Sequence, residues 1–197
     1  MDYDLVYGRN IGLFTKEEQE KLKGAKVAIA GVGGVGGIQA ATLARFGIGK
    51  MAIMDPGVFD EPDMNRQYAA TKSTLGKNKA IATAQFLKDI NPFMEIDVVD
   101  RALTKENELE EFIADSDLVI DAIDYTGFDH KARFAEIARK MGTYNLSAPI
   151  PDFGTLLMIF DPEGMAMEEF FGAPKNKSQF RQFAPPLKGF LGKNTAQ

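Results

Sequence analysis

A glycine-rich segment between two apolar stretches is the strongest constraint on the fold of this chain. Residues 26–30 form a short apolar run that stops at the sequence GVGGVGG, residues 31–37. Residues 38–46 carry small and apolar side chains up to Gly47, a residue that favours a helix end, and residues 50–55 form a second apolar run. The pattern predicts a buried strand, a tight turn, a helix and a second strand, which together make a βαβ unit.

The glycine segment also has the spacing of a nucleotide-binding loop. Gly31, Gly33 and Gly36 fit G-x-G-x-x-G, in which backbone N–H groups and a helix N-terminus meet phosphate oxygens. Asp55 ends the second strand, where such folds place a carboxylate that accepts hydrogen bonds from ribose hydroxyls. These features alone do not separate NAD from ATP, and a purely structural turn with a strand-capping carboxylate is the competing interpretation.

Strands and helices continue to alternate along the chain. A polar helix is predicted at 15–22, further helices at 78–90, 104–114 and 129–141, and further strands at 94–100, 117–122, 144–147 and 154–160. This order indicates an α/β fold with a doubly wound, largely parallel Rossmann-like sheet, whose ligands bind at the carboxyl ends of the strands. Residues 161–197 are rich in Met and Phe without a clean period, and we expect this C-terminal extension to pack on the core or on a dimer partner.

The long polar connection at 56–77 favours a triphosphate over a dinucleotide. A connection of this length is uncommon unless it is functional or disordered. It contains Asn65, Arg66 and Gln67, and Lys77 and Lys79 follow before the next helix. Cations and amide donors suit a triphosphate, whose charge needs neutralising when pyrophosphate leaves.

Taken in order, these motifs resemble the ThiF/MoeB/ubiquitin-activating superfamily of ATP-dependent adenylyltransferases. The resemblance runs from about Tyr7 to about Phe160. It rests on the glycine loop, Asp55, MNRQ at 64–67, GKNK at 76–79, Asn91-Pro92 and DLVIDAID at 117–124. It implies that residues 1–160 form an ATP-binding adenylyltransferase domain.

The resemblance also implies a role for individual residues. Nucleotide contacts are implied for Gly31, Gly33, Gly34, Gly36, Asp55, Asn65, Arg66, Gln67 and Lys79. Asp55 would bind the ribose, and the catalytic cations Arg66 and Lys79 would hold the phosphates while Gln67 supports their loop. Asp124 would hold Mg²⁺, and Arg9 would reach the neighbouring site across a homodimer interface.

Two positions depart from the family pattern. The family usually has Asn where this chain has Asp63, and Asn where it has Tyr125. A carboxylate beside a triphosphate is repelled unless a cation intervenes, so Asp63 is expected either to bind Mg²⁺ or to point away. Tyr125 is expected either to border the acyl substrate or to be an ordinary packed tyrosine.

Composition narrows the function further. The chain has 197 residues, a net charge of −5 and no cysteine. The negative charge argues against nucleic-acid binding, and we expect a cytoplasmic protein because neither a membrane span nor a signal peptide is evident. Without cysteine there is no zinc-thiolate site and no thioester on these residues, so the acyl group must pass to a separate thiol or other nucleophile.

The identity of the carboxylate stays open at this stage. The short chain leaves little room for a docking domain, which favours a small-molecule acid such as a cofactor precursor, for example guanylylpyridinol. The main alternative is the C-terminal glycine of a ubiquitin-like sulfur-carrier protein. Two other classes, a non-catalytic nucleotide-binding scaffold and an NAD-dependent oxidoreductase, are disfavoured by the presence of Arg66 and Lys79 and by the lack of a substrate domain.

Overall fold

The computed structural model describes residues 1–124, 127–150 and 154–172. The strands are β1 (Lys26–Ala30), β2 (Lys50–Met54), β3 (Glu95–Val99), β4 (Leu118–Asp121), β5 (Tyr144–Ser147) and β6 (Met158–Phe160). The α-helices are α1 (Tyr3–Tyr7), α2 (Lys16–Gly24), α3 (Gly34–Phe46), α4 (Lys79–Ile90), α5 (Glu106–Ile113), α6 (Phe128–Lys140) and α7 (Met167–Phe170). Two 3-10 helices span Gly8–Asn10 and Glu61–Asn65.

The strands form one six-stranded sheet with the order β3-β2-β1-β4-β5-β6. Strands β1 to β5 pair in parallel, and β6 runs antiparallel to β5. The chain builds outward from β1 in one direction and then restarts at β4 on its other side. The switch point between β1 and β4 is where a sheet of this kind opens a crevice for a ligand.

Helices cover both faces of the sheet because neighbouring strand residues point to opposite sides. On one face Ile29 and Ile53 pack with Leu87 of α4. On the other face Ala28 packs with Ile113 of α5 and Phe134 of α6. The predicted doubly wound, largely parallel sheet is therefore confirmed.

The element bounds agree with the sequence patterns except near glycines and chain ends. Helix α3 begins at Gly34, four residues earlier than predicted, because Gly36 and Gly37 lie inside the helix rather than in the turn. The last strand was predicted at 154–160, but it covers Met158–Phe160 and is antiparallel. Helix α1 was not predicted, although its two tyrosines, Tyr3 and Tyr7, are buried.

The first part of the C-terminal extension contacts the core. Met167 of α7 is buried, and Phe170 meets Phe160 edge-on with ring centroids 5.9 Å apart. Phe171 meets Phe128 of α6 in the same way at 6.0 Å. The rest of the extension, residues 173–197, lies outside the described residues, as does Tyr125. Within the described ranges, no helix is both long and apolar enough to cross a membrane.

A buried ion pair holds the carboxyl end of β4 against α6. Lys131 Nζ lies 2.7 Å from Asp121 Oδ2, and both side chains are almost fully buried. The same ammonium group lies 3.4 Å from the carbonyl oxygens of Asp121 and Ile123. Burial raises the pKa of Asp121, although the positive charge of Lys131 opposes the shift. The pair therefore fixes the backbone that leads into Asp124.

Lys131→Met should strongly destabilise the fold, because it leaves the Asp121 carboxylate buried without its partner. Breaking a buried pair in this way typically costs about 3–5 kcal/mol in the free energy of unfolding, which urea titration measures. Lys140→Met is the matched control, since Lys140 lies on the same helix but makes exposed ion pairs with Glu106 and Glu110. Equal losses in the two variants would contradict this assignment.

Candidate functional site

In the glycine loop, backbone segments approach one another so closely that there is no room for a Cβ atom at two of the glycines. Gly31 has a φ of +91°, and a Cβ atom there would lie 2.6 Å from the Ala122 carbonyl oxygen. A Cβ atom on Gly36 would lie 1.9 Å from the Gly31 carbonyl oxygen. These contacts pack the start of α3 against the crevice between β1 and β4 and leave its first N–H groups directed outward.

Asp55 is held to this loop through both carboxylate oxygens. Oδ2 accepts a hydrogen bond from the Val32 N–H at 2.9 Å, and Oδ1 accepts one from the Gly57 N–H at 2.8 Å. The side chain is half-buried, and each carboxylate oxygen keeps further acceptor capacity. Asp55 therefore fixes the loop and still has oxygen lone pairs for a ligand hydroxyl.

The connection between β2 and α4 brings two further side chains to the glycine loop. A Cβ atom on Gly34 would lie 3.6 Å from Arg66 Cγ, and one on Gly33 would lie 3.7 Å from Gln67 Cδ. The Arg66 guanidinium is more than half exposed and donates to the Asn65 side-chain oxygen at 3.0 Å and to the Pro62 carbonyl at 2.9 Å. Asn65, Arg66 and Gln67 thus lie at the helix N-terminus, beside the glycine loop.

Lys79 stands at the start of α4 and is paired with Asp63. Its ammonium nitrogen lies 2.9 Å from Asp63 Oδ2 and 5.6 Å from the centre of the Phe59 ring. A Cβ atom on Gly57, next to Asp55 in the site, would lie 3.3 Å from Lys79 Cδ and Cε. Lys79 therefore joins the same group of residues, as the sequence predicted.

Asp63 is neither turned away from this group nor open to a metal ion. It is buried, and it accepts hydrogen bonds from Gln67 Nε2 and from the Asp60 N–H while it pairs with Lys79. Burial raises the pKa of Asp63 more than any other single cause, but the hydrogen bond and charge of Lys79 together with the hydrogen bonds at Asp60 outweigh it and keep the pKa below its ordinary value. The cations that offset this carboxylate are Lys79 at 2.9 Å and Arg66 at 3.6 Å, which the sequence did not predict.

Asp124 lies at the far side of the crevice, in the turn after β4. Its side chain is exposed, and its carbonyl oxygen accepts the Gly127 N–H at 2.9 Å. Among the described residues no three acidic, histidine or cysteine side chains cluster as a ready metal site. Mg²⁺ is commonly held by one or two carboxylates together with substrate phosphates, so a single exposed carboxylate here fits a metal that arrives with a nucleotide.

Arg9 lies at the opposite end of α3 from the glycine loop. It belongs to the 3-10 helix Gly8–Asn10, and the neighbouring Asn10 donates to the Phe46 carbonyl at 3.3 Å. Helix α3 has 13 residues and is therefore about 20 Å long. Arg9 does not join its own chain's group of candidate site residues.

Two features of the site escaped the sequence analysis. The first is the Lys131–Asp121 pair, which fixes the backbone before Asp124. No sequence motif indicates that a lysine within a helix is buried. The pairing of Asp63 with Lys79 joins the connection to the first residue of α4, 16 positions further on, so only the fold reveals it. The sequence feature that could have suggested this pairing is Asp63 itself, a carboxylate in place of the family's usual Asn, in a segment that also supplies the cations Arg66 and Lys79.

Comparison with known proteins identifies the family of this chain. The ThiF family model matches residues 7–196. The chain belongs to the ThiF family. It is 38% identical over 118 residues to tRNA threonylcarbamoyladenosine dehydratase of Bacillus subtilis (strain 168), covering 60% of this chain and 46% of that protein. It is 33% identical over 109 residues to the adenylyltransferase and sulfurtransferase UBA4 of Candida albicans, covering 55% of this chain and 25% of that protein.

Solved structures show the same fold. The chain superposes on Escherichia coli tRNA N6-threonylcarbamoyladenosine dehydratase in complex with ATP with a TM-score of 0.68 and 27% identity, covering 73% of this chain and 58% of that one. It superposes on PaaA with a TM-score of 0.73 and 24% identity, covering 84% of this chain and 54% of that one. The chain spans about half the length of the curated dehydratases that it matches.

The glycine contacts can be tested by a matched pair of variants. Gly36→Ala should lower the free energy of unfolding by about 3 kcal/mol or more, because the new methyl group meets backbone that cannot rotate away. Gly34→Ala should fold normally, since its methyl group would make an ordinary contact with Arg66. Urea unfolding of both variants measures the difference, and equal stability would refute the close approach at Gly36.

Proposed function

We propose that this chain is an ATP-dependent adenylyltransferase that joins a carboxylate to AMP. The observation that carries the proposal is the grouping of Arg66 and Lys79 around the glycine loop, Asp55 and the N-terminus of α3. A glycine loop with one carboxylate suits any nucleotide, whereas two added cations suit a triphosphate that loses pyrophosphate. Curated relatives are named adenylyltransferases, and one matched structure is described as an ATP complex.

The reaction needs position and charge rather than a nucleophile from the protein. A carboxylate oxygen of the substrate attacks the α-phosphorus of ATP, the bond from that phosphorus to the β-phosphate bridging oxygen breaks, and pyrophosphate leaves with the electron pair. Arg66, Lys79 and the N–H groups of the glycine loop stabilise the negative charge that spreads over the phosphates. Asp124 would hold Mg²⁺ together with the nucleotide, and the ion would supply positive charge that offsets part of the phosphate charge.

The substrate acid is a small molecule in this proposal. The 197 residues contain no cysteine, so the acyl-adenylate passes to a thiol or another nucleophile outside them. Guanylylpyridinol, the acid activated by the short family member HcgE, has the required chemistry. A ubiquitin-like carrier protein is the second candidate, favoured by 32% identity over 108 residues to the SAMP-activating enzyme E1 of Haloferax volcanii. The net charge of −5 argues against tRNA as the substrate.

ATP–pyrophosphate exchange tests the reaction. With ATP, Mg²⁺ and a panel of acids and carrier-protein C-terminal peptides, the right acid should promote exchange and give an acyl-AMP detectable by mass spectrometry. Arg66→Ala and Lys79→Ala should each lower exchange at least about 100-fold, as the loss of a charge-stabilising donor does in other enzymes. Lys72→Ala, an exposed lysine in the same connection, should not. Formation of ADP instead of AMP would contradict the proposal.

Arg9 is proposed to complete the site of the other subunit in a homodimer, because the length of α3 separates it from the candidate site of its own chain. Arg9→Ala and Arg66→Ala proteins should each be inactive alone, whereas a mixed population contains dimers with one intact site. Mixing and re-equilibrating the two variants should restore roughly a quarter of wild-type exchange if dimers form at random. A mixture as inactive as its components would show that Arg9 does not act on the neighbouring site, and a fully active Arg9→Ala protein would place Arg9 outside the reaction.

A further inference from the structure

Asp63 contacts three members of the group around the glycine loop: Gln67, Lys79 and, at 3.6 Å from Oδ1, the guanidinium of Arg66. One carboxylate oxygen, Oδ1, accepts from Gln67 Nε2, and the other, Oδ2, accepts from Lys79 at 2.9 Å and from the Asp60 N–H at 3.2 Å. Asp63 and Gln67 are each about 6% exposed. We propose that Asp63 is a positioning residue that fixes the direction of the Gln67 amide, so that Gln67 presents a hydrogen-bond acceptor to the bound nucleotide. The proposal rests on the proposed function for the identity of that ligand.

The direction of the amide follows from what a carboxylate can do. An ionised carboxylate only accepts hydrogen bonds, whereas a side-chain amide has a donating end and an accepting end. Gln67 must therefore turn Nε2 towards Asp63, which leaves Oε1 at the other end. The ordinary family residue at position 63, asparagine, could accept from or donate to Gln67 and would leave both directions open.

The Gln67 amide lies beside the glycine loop, where a Cβ atom on Gly33 would lie 3.7 Å from Oε1 and 3.8 Å from Nε2. Nε2 donates to Asp63, whereas Oε1 is buried without a hydrogen-bond partner among the described residues. A buried acceptor without a donor is costly, which indicates that a ligand supplies the donor. Phosphate oxygens are acceptors and are repelled by Oε1, so the donor is a hydroxyl or amino group of the ligand or a water of its metal ion.

The residues of this group therefore have two different roles in binding the ligand. Arg66 and Lys79 supply the charge that binds phosphate, and Gln67 contacts a part of the ligand that can donate a hydrogen. Asp63 determines this division because it accepts from the donating end of Gln67 and pairs with Lys79 at 2.9 Å and, at 3.6 Å, with Arg66. It does so without touching the nucleotide.

An exchange of hydrogen-bond polarity between positions 63 and 67 tests the proposal. Gln67→Glu sets two buried carboxylates against each other, and it should lower both the melting temperature and the affinity for α,β-methylene-ATP with Mg²⁺, the latter at least about tenfold. Adding Asp63→Asn gives the new carboxylate an amide donor and keeps an acceptor towards the loop. The double variant should therefore bind the analogue within about threefold of wild type. Isothermal titration calorimetry measures the affinities.

Glu61→Gln is the control for these variants. Glu61→Gln removes a negative charge from an exposed position of the same 3-10 helix and should leave affinity and stability unchanged. If the double variant binds no better than Gln67→Glu alone, or if Gln67→Glu binds like wild type, the proposal is wrong. If Gln67→Glu does not fold, recovery of folded protein in the double variant is the expected result.

Failure of the proposed function can be recognised separately. If wild type binds neither ATP nor its analogue, the adenylyltransferase proposal fails. Urea unfolding of the four proteins then still tests the Asp63–Gln67 polarity, because loss of stability in Gln67→Glu and its recovery in the double variant do not need a nucleotide. If Gln67→Glu is as stable as wild type, or the double variant is no more stable than Gln67→Glu, the polarity assignment is wrong.

Discussion

The close contact between Gly36 and the Gly31 carbonyl determines where every other part of the candidate site lies. It allows α3 to start directly at the carboxyl end of β1, with its N-terminus at the switch point between β1 and β4. Any side chain at position 36 would push the helix away from the strand. The Asp55 carboxylate then locks the loop from the neighbouring strand through the Val32 N–H. Loop, helix and strand end therefore behave as one rigid unit.

The second constraint is that each buried carboxylate needs a cationic partner. Asp121 and Asp63 meet this requirement in different ways. Asp121 pairs with Lys131 inside the fold, where the pair is closed to ligands and fixes the backbone before Asp124. Asp63 pairs with Lys79 at the edge of the site, where the ammonium group is still partly exposed and can turn to a phosphate. A buried pair resists rearrangement, whereas a pair at a site edge can exchange its partner when a more highly charged anion arrives. The first pair is thus suited to structure and the second to binding.

Sequence patterns predicted the fold and the members of the site better than its internal contacts. The apolar runs of β1 and β2 are local signals, and the structure has both strands within one residue of the predicted bounds, although the helix between them begins inside the glycine segment. The family resemblance pointed to Arg66, Gln67 and Lys79, which do lie beside the loop. Partnerships such as Lys131 with Asp121 could not be predicted, because pattern and propensity do not say which distant residue a buried charge meets. Helix α1 was missed for a related reason, since five residues are too few for a periodic signal.

Helix α3 links the candidate site to the surface through which the proposed homodimer would complete it. Its N-terminus faces the candidate phosphate position, and its C-terminal end is held by α1 and the 3-10 helix through Tyr3, Tyr7 and Asn10. Arg9 is consequently fixed to the same rigid helix as the glycine loop but about 20 Å from it. A cation fixed at that distance cannot swing into its own site without unfolding the N-terminal segment. If Arg9 contributes to the proposed reaction, it therefore does so on a second copy of the chain, and the affinity of the phosphate site then depends on dimer formation.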